Sequence, residues 1–213
     1  MPRLREVRRA EVSSPQVLAA YDKHFGDRDP VTEPGAAGGA PGNWWTVFAL
    51  EPDLFQLMLQ RHEWQSSTRR VIDPSLRELA LTRTGWAAGS VFVFSQHCKA
   101  LRRLGVSEER IAGIPSWSSE SCYSDAERAV LGYTDDLVAC GGRVPDQRFA
   151  ALKNALPDVA ILELSFMICT YIQSSIMCRA LQLEFDEHPD LVVEQPDVRP
   201  TVNAANPRVE TDV

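Results

Sequence analysis

The sequence predicts an all-α fold, and three observations carry that expectation. Apolar residues recur at helical rather than alternating spacing, as in Trp44, Trp45, Phe48, Leu54, Leu57 and Met58. Strong helix starts precede two such runs, Asp73-Pro74-Ser75-Leu76 and Ser124-Asp125-Ala126-Glu127. The one β-branched and aromatic cluster, Val91-Phe92-Val93-Phe94, resembles a strand on its own but lies within a longer helical frame. Over 213 residues, a content of 44% hydrophobic and 24% charged residues fits a folded globular body in one compact domain.

Three regions divide the chain. Residues 1–43 read as an extended start, a short helix from about Ser14 to Gly26 and a Gly/Pro-rich loop carrying Pro30, Pro34, Gly35, Gly38, Gly39 and Pro41. That loop lacks the glycine-lysine order of a phosphate cradle and reads as a linker or a lid. Residues 44–188 form the helical body, and residues 189–213, rich in proline and acids, an extended or disordered tail or an arm around a neighbouring subunit.

Within the body, Glu51-Pro52 splits the first apolar run into two helices, because proline cannot continue an upstream ladder but suits a first turn. Asp73 caps a helix over residues 75–84, and a second helix spans about 86–104 before Gly105 stops it. Ser107 caps a short helix ahead of Ile111. The capping box at Ser124 opens a helix that runs through Val138 to Gly141-Gly142. A short helix covers Asp146 to Asn154, and a long one, apolar almost all round, covers Asp158 to Phe185.

A net charge of −7 and a pI near 5.2 leave no cationic excess for a phosphate backbone, so nucleic acid is not an expected partner. No uninterrupted apolar run approaches the roughly 18 to 20 residues of a membrane span, and the N-terminus has no apolar leader. The expectation is a cytoplasmic protein with no membrane contact. Five cysteines, an odd number with no Cys-x-x-Cys pair, read as reduced thiols. Four scattered histidines give no metal-ligand spacing, so neither a metal nor a cofactor is expected.

On the helix expected at 86–104, Ser90, Val93, Phe94, His97 and Leu101 share one face. His97 therefore looks into apolar surroundings, and Glu78, on the preceding helix, would make it an acid/base pair if the two meet. The plain alternative is a core histidine and a structural acid. Cys98 points about 100° round the helix from that face and reads as a packing thiol. Trp44 and Trp45 serve either as core or as cavity walls. Tyr171, Gln173, Ser174 and Ser175 interrupt the long apolar helix and need partners, from a ligand or another subunit.

The stretch Arg77-Glu78-Leu79-Ala80-Leu81, then Gly89-Ser90 to Gln96-His97, then Gly105-Val106-Ser107-Glu108-Glu109, resembles the signature of the carboxymuconolactone decarboxylase and alkylhydroperoxidase D-like family. The resemblance extends over about residues 44–185. It implies an all-helical fold assembled as trimers or hexamers, with the site near a subunit boundary. It also implies Glu78 and His97 as the acid and histidine of that site. Peroxidase-type members carry cysteines seven and four residues before the histidine, where this chain has Ser90 and Val93. Neither side chain can attack a peroxide as a thiolate does, so the family's redox route is not expected.

The resemblance then points to a cofactor-independent lyase or isomerase acting on a small organic acid, lactone or polyketide-like ring. His97 would be the acid/base and Glu78 would orient it or relay protons. Ser90, Val93, Phe94, Ser95, Gln96, Trp44, Trp45 and Tyr171 would contact substrate. A binding or scaffold protein of the same fold, and a residual thiol peroxidase, are the alternatives.

Overall fold

The computed structural model describes residues 1–36 and 42–184. Among them the chain forms nine α-helices and no strand. These are α1 (Pro15–Phe25), α2 (Asn43–Phe48), α3 (Pro52–Ser66), α4 (Pro74–Ala87), α5 (Val91–Arg103), α6 (Glu108–Gly113), α7 (Asp125–Ala139), α8 (Asp146–Ala155) and α9 (Asp158–Leu181). The middle of the Gly/Pro-rich loop and the tail expected at 189–213 lie outside the described residues.

Helix α4 is the hub, packed against α5, α7 and α9. It can be central because seven of its residues, from Glu78 to Gly85, are buried, so it presents packing surface on more than one side. Its start follows the sequence signal: the Asp73 carboxylate accepts the amides of Ser75 and Leu76 at 2.9 and 3.0 Å, and Pro74 takes the first turn. Asp135 of α7 receives a two-pronged ion pair from Arg83 of α4 at 2.6 and 3.1 Å. Trp117 Nε1 donates to the same carboxylate, and Arg83 also donates to the carbonyls of Ile114 and Pro115. That network fixes α4, α7 and the segment between them.

The boundary between the two helices that carry the acid and the histidine differs from expectation. Helix α4 continues through Trp86 to Ala87, and α5 begins only at Val91. Gly89 adopts φ 66°, a left-handed conformation that glycine takes without penalty, and breaks the chain there. Ser90 then stands in extended backbone as the N-cap, its hydroxyl accepting the Val93 amide at 3.3 Å. The reversal lets α5 fold back on α4, with Gly85 at the closest approach. A Cβ at Gly85 would lie 2.5 Å from the Phe94 backbone nitrogen and 2.8 Å from its Cα.

The capping box at Ser124 forms as expected, with the Ser124 amide donating to Glu127 at 2.8 Å and the Glu127 amide donating back to the Ser124 hydroxyl. Helix α3 starts at the Glu51-Pro52 break, where Glu51 caps the Leu54 amide. Helix α9 stops at Leu181, before the expected Phe185, because Gln182 turns left-handed at φ 55°. By length and composition α9 is apolar enough to cross a membrane, which corrects the reading of no such segment; Glu163 and the run Gln173-Ser174-Ser175 break its apolar stretches without lowering its mean hydropathy below that of a span. Here it packs one side into the core: Leu164, Met167 and Ile168 are fully buried with Leu81, Val130 and Leu152. Its Glu163 accepts the amides of Val71 and Ile72 and pairs with Arg70, anchoring the turn before α4.

Two further clusters complete the core. One joins α4, α5 and α6 through Leu79, Phe94, Leu101 and Ile111. The other gathers α1, α2, α3 and the end of α9 around Tyr21, Phe25, Phe48 and Phe55. The chain's first residues tie this second cluster down: Arg3 bonds the carbonyls of Leu181 and Ala180, and Val7 bonds that of Thr46.

Candidate active site

A cavity of about 570 Å³ opens between the N-terminal cluster, α3, α5 and α9. The Glu78 carboxylate and the His97 ring both lie on its wall, and both are buried. His97 Nδ1 sits 2.6 Å from Glu78 Oε2, while Arg77 Nε donates to Oε1 at 2.9 Å. The acid expected on one helix and the histidine on the next therefore meet.

Burial alone would push the Glu78 carboxyl up, but the His97 ring and the Arg77 guanidinium together outweigh it and hold the group below the ordinary carboxylate range. An ionised carboxylate can only accept hydrogen bonds, so His97 Nδ1 carries a proton, and in the neutral ring the lone pair stands at Nε2. Nε2 has no protein partner among the described residues. Tyr171 packs edge-on against the ring at 4.5 Å and limits its rotation. This carboxylate–imidazole arrangement fixes the tautomer of the neutral ring.

A pH dependence follows from the carboxyl. Its folded pKa is depressed below an ordinary value of about 4.3, so the stability it contributes is complete above that pH and is lost as pH falls through the depressed folded value. Glu78→Gln is expected to cost about 2 kcal/mol at pH 7, the worth of a hydrogen bond to a charged group. Urea unfolding at pH 7 and pH 3 should show the gap between wild type and variant narrowing in acid. A gap independent of pH would disprove the ion pair.

Of the residues expected to contact substrate, Val93, Gln96, Trp44, Trp45 and Tyr171 line the cavity. Ser90, Phe94 and Ser95 do not. Ser90 is occupied as the α5 cap, Phe94 packs into the core against Leu79 and lies 5.6 Å from the Trp86 ring, and Ser95 is fully buried elsewhere. The expected single face mixed two. In the structure Val93, Gln96, His97 and Ala100 face the cavity, while Phe94, Cys98 and Leu101 face the core.

The sequence reading missed Arg61, Gln65 and Arg77. All three line the cavity. Gln65 shares a helical face with Met58 and Arg61, at spacings of three and four residues, and this was the signal available. Gln65 Nε2 donates to the Tyr171 hydroxyl at 3.1 Å, so the phenol keeps its own hydrogen for another acceptor. Burial raises that phenol's pKa and keeps it a donor. Arg61 donates only to the Gln173 amide, at 3.4 Å, and has no carboxylate partner among the described residues. Its guanidinium is partly desolvated.

The aromatic wall is built from outside the α4–α5 pair. Trp44 stacks on Phe48 at 4.2 Å, Trp45 stacks on His24 at 4.1 Å, and the two tryptophans meet edge-to-face. Buried Glu184, just past α9, receives the amides of Gly42 and Trp44 at the start of α2, and its own amide donates to Asn43 Oδ1 at 2.7 Å. A carboxylate at a helix N-terminus is electrostatically favourable, so this clasp holds the tryptophans in place.

The family model of the carboxymuconolactone decarboxylase family matches residues 52–136, a span that holds α3 to α7 and both members of the acid–histidine pair. Over that span the chain is similar to this family. A protein of Bacillus subtilis (strain 168), YdfG, is 24% identical over 126 residues, covering 58% of this chain and 83% of YdfG. Among solved structures, the peroxidase-related AhpD-core protein of Ralstonia eutropha JMP134 is similar at a TM-score of 0.67 and 15% identity, over 89% of this chain and 92% of that one. The debrominase Bmp8 with 2,3,4-tribromopyrrole bound is similar at a TM-score of 0.66 and 15% identity, over the same shares. At identities this low the fold alone is shared, and the chemistry has to be argued from this chain's own cavity.

Proposed function

We propose that the cavity is the site of a cofactor-independent lyase or isomerase. In this reading His97 Nε2 removes and returns a proton next to a carbonyl or carboxyl group of a small, largely apolar ring acid or lactone. The observation that carries it is the 2.6 Å contact of Nδ1 with the Glu78 carboxylate, which leaves Nε2 as a base on the wall of a cavity of about 570 Å³. A positioned base of this kind contributes about 10²- to 10⁴-fold to a proton transfer. Glu78 keeps the tautomer and stabilises the imidazolium once the proton has moved. The Tyr171 hydroxyl is the donor for the oxygen on which enolate charge develops, and Arg61 is the partner for the substrate's carboxylate.

Thiol chemistry is disfavoured by the one cysteine on the cavity wall. Burial pushes the Cys178 thiol up to about 12, so it is not a thiolate at neutral pH. Cys98 is fully buried among Leu79, Phe94 and Leu101. The test is a panel of small ring acids and lactones incubated with the protein in deuterium oxide, scored by carbon-bound deuterium and by carbon dioxide release. Turnover that is unchanged in His97→Gln would refute the assignment.

Arg61 gives a second expected result. Arg61→Gln should raise KM for a carboxylate substrate by about 10- to 100-fold, the worth of a hydrogen bond between charged groups, and leave kcat nearly unchanged. Steady-state kinetics on the acid and on its amide separate the cases. An equal loss on both would remove carboxylate recognition from Arg61.

A further inference from the structure

The cavity wall carries more basic groups than its own carboxylates can hold. Arg61, Arg77 and Arg103 lie on it with His24, His62 and His97, against Glu78 and Glu184. Both carboxylates are occupied, Glu78 by Arg77 and His97, and Glu184 by the amides of Gly42 and Trp44. The chain as a whole has a net charge of −7, so this basic wall runs against its general charge. A ligand that brings a negative charge suits it.

Two of the three histidines have no part in the Glu78 pair. Helix α1 carries Lys23-His24, helix α3 carries Arg61-His62, and the two helices pack together. The His24 ring is half-buried and stacks on Trp45 at 4.1 Å, with 23° between the planes. His62 stands at the rim of the cavity, its outer edge in solvent. Unlike His97, neither ring has a hydrogen-bond or ion-pair partner among the described residues. The surrounding chain, and then the Lys23 ammonium, push both rings below the ordinary histidine value. His62 adds to this at His24, Arg61 and His97 add to it at His62, and Glu63 opposes it there. Helix α2, which brings Trp45 against His24, carries no charged residue. Both rings are therefore neutral at pH 7 and above until a negative group arrives.

We propose that His24 and His62 join Arg61 in holding the carboxylate of the ligand, and that they take up a proton as the acid enters, so that capture strengthens in mild acid. This rests on the proposed function in taking the ligand to be an acid, but it needs no turnover. The carboxylate supplies the partner each ring lacks, which raises the rings' pKa in the complex above that in the free protein. The gain in affinity is thus complete below the free-protein value and absent above the value in the complex. Protonated His24 gains further from the Trp45 face it lies against.

Calorimetric titration of the full chain with benzoate tests this, because a carboxyl of ordinary pKa, about 4.3, keeps the probe ionised from pH 5.5 to pH 8. Across that range the benzoate Kd should be about 10-fold lower at pH 5.5, the worth of one hydrogen bond between charged groups. Repeating the titration at pH 6.5 in buffers of different ionisation heat should show proton uptake. His24→Gln/His62→Gln should remove both effects, and His97→Gln should keep them.

Benzoate binding that is flat in pH and takes up no proton overturns the proposal while leaving an acid site in the cavity. Proton uptake that persists in the double variant, or is lost in His97→Gln, also overturns it, since the proton then belongs elsewhere. Should the double variant not fold, His62→Gln decides, because that side chain reaches solvent at the rim: an unchanged pH response there overturns the proposal. No benzoate binding at either pH removes this proposal together with the acid ligand it rests on, whereas deuterium incorporation from a lactone would still support His97 as the base.

Discussion

His97→Gln is expected to lower turnover by about 10²- to 10⁴-fold with little change in folding stability. Glutamine keeps a donor that can reach the Glu78 carboxylate, so the buried charge retains a partner and the cavity wall is preserved. What it lacks is a lone pair that can accept a proton at neutral pH. The loss should therefore fall on kcat, with KM nearly constant, because the imidazole nitrogen acts on the reacting proton and does not hold the substrate. Glu78→Gln should fall between the two. Its amide can present a donor to Nδ1, which would favour the other tautomer and bury the lone pair needed at Nε2. Circular dichroism and thermal unfolding measured beside the kinetics separate a chemical loss from a folding loss.

Gly85→Ala is expected to be strongly destabilising for a single added methyl group. The added Cβ would lie 2.5 Å from the Phe94 nitrogen and 2.8 Å from its Cα, and a backbone cannot swing aside as a side-chain tip can. Helix α5 must move away from α4, at a cost of about 1 to 3 kcal/mol for overpacking a filled core. The same movement carries His97 away from Glu78, one turn further along α5, and a contact of 2.6 Å leaves no slack. Stability and turnover should fall together. The expectation differs at Gly132, where the near atom is the Arg148 guanidinium, the far end of a flexible side chain. If Gly85→Ala retained wild-type thermal stability, the close helix crossing would not be as tight as described.

The accuracy of the sequence reading followed the range over which each signal acts. Asp73-Pro74, Ser124 with Glu127, and Glu51-Pro52 are complete within four residues, and each helix starts where those residues place it. The α4–α5 break was equally local, a left-handed Gly89 followed by the Ser90 cap, but an isolated glycine within an apolar run also suits a continuous helix. Starting α5 too early blurred its phase, and Ser90, Phe94 and Ser95 entered the expected site in place of residues from other helices.

Arg61, Gln65 and Arg77 became visible only once α3 and α4 were packed beside α5. Their roles depend on contacts that no sequence spacing encodes, such as Gln65 with Tyr171 across 106 positions. Glu78 and His97 were legible through the family resemblance, and the α4–α5 hairpin, whose short connection lays the two helices together, is what makes them meet.

The central claim is that Glu78 holds the Nδ1 proton of His97 and leaves Nε2 as the free base. The ¹⁵N spectrum of the imidazole, assigned by its loss in His97→Gln and recorded as pH is raised through neutrality, tests that directly. The account predicts that the neutral ring is protonated at Nδ1 and shows a bare, pyridine-type Nε2, and that Glu78→Gln erases this preference. A neutral ring protonated at Nε2, or one whose tautomer ignores Glu78→Gln, would contradict it.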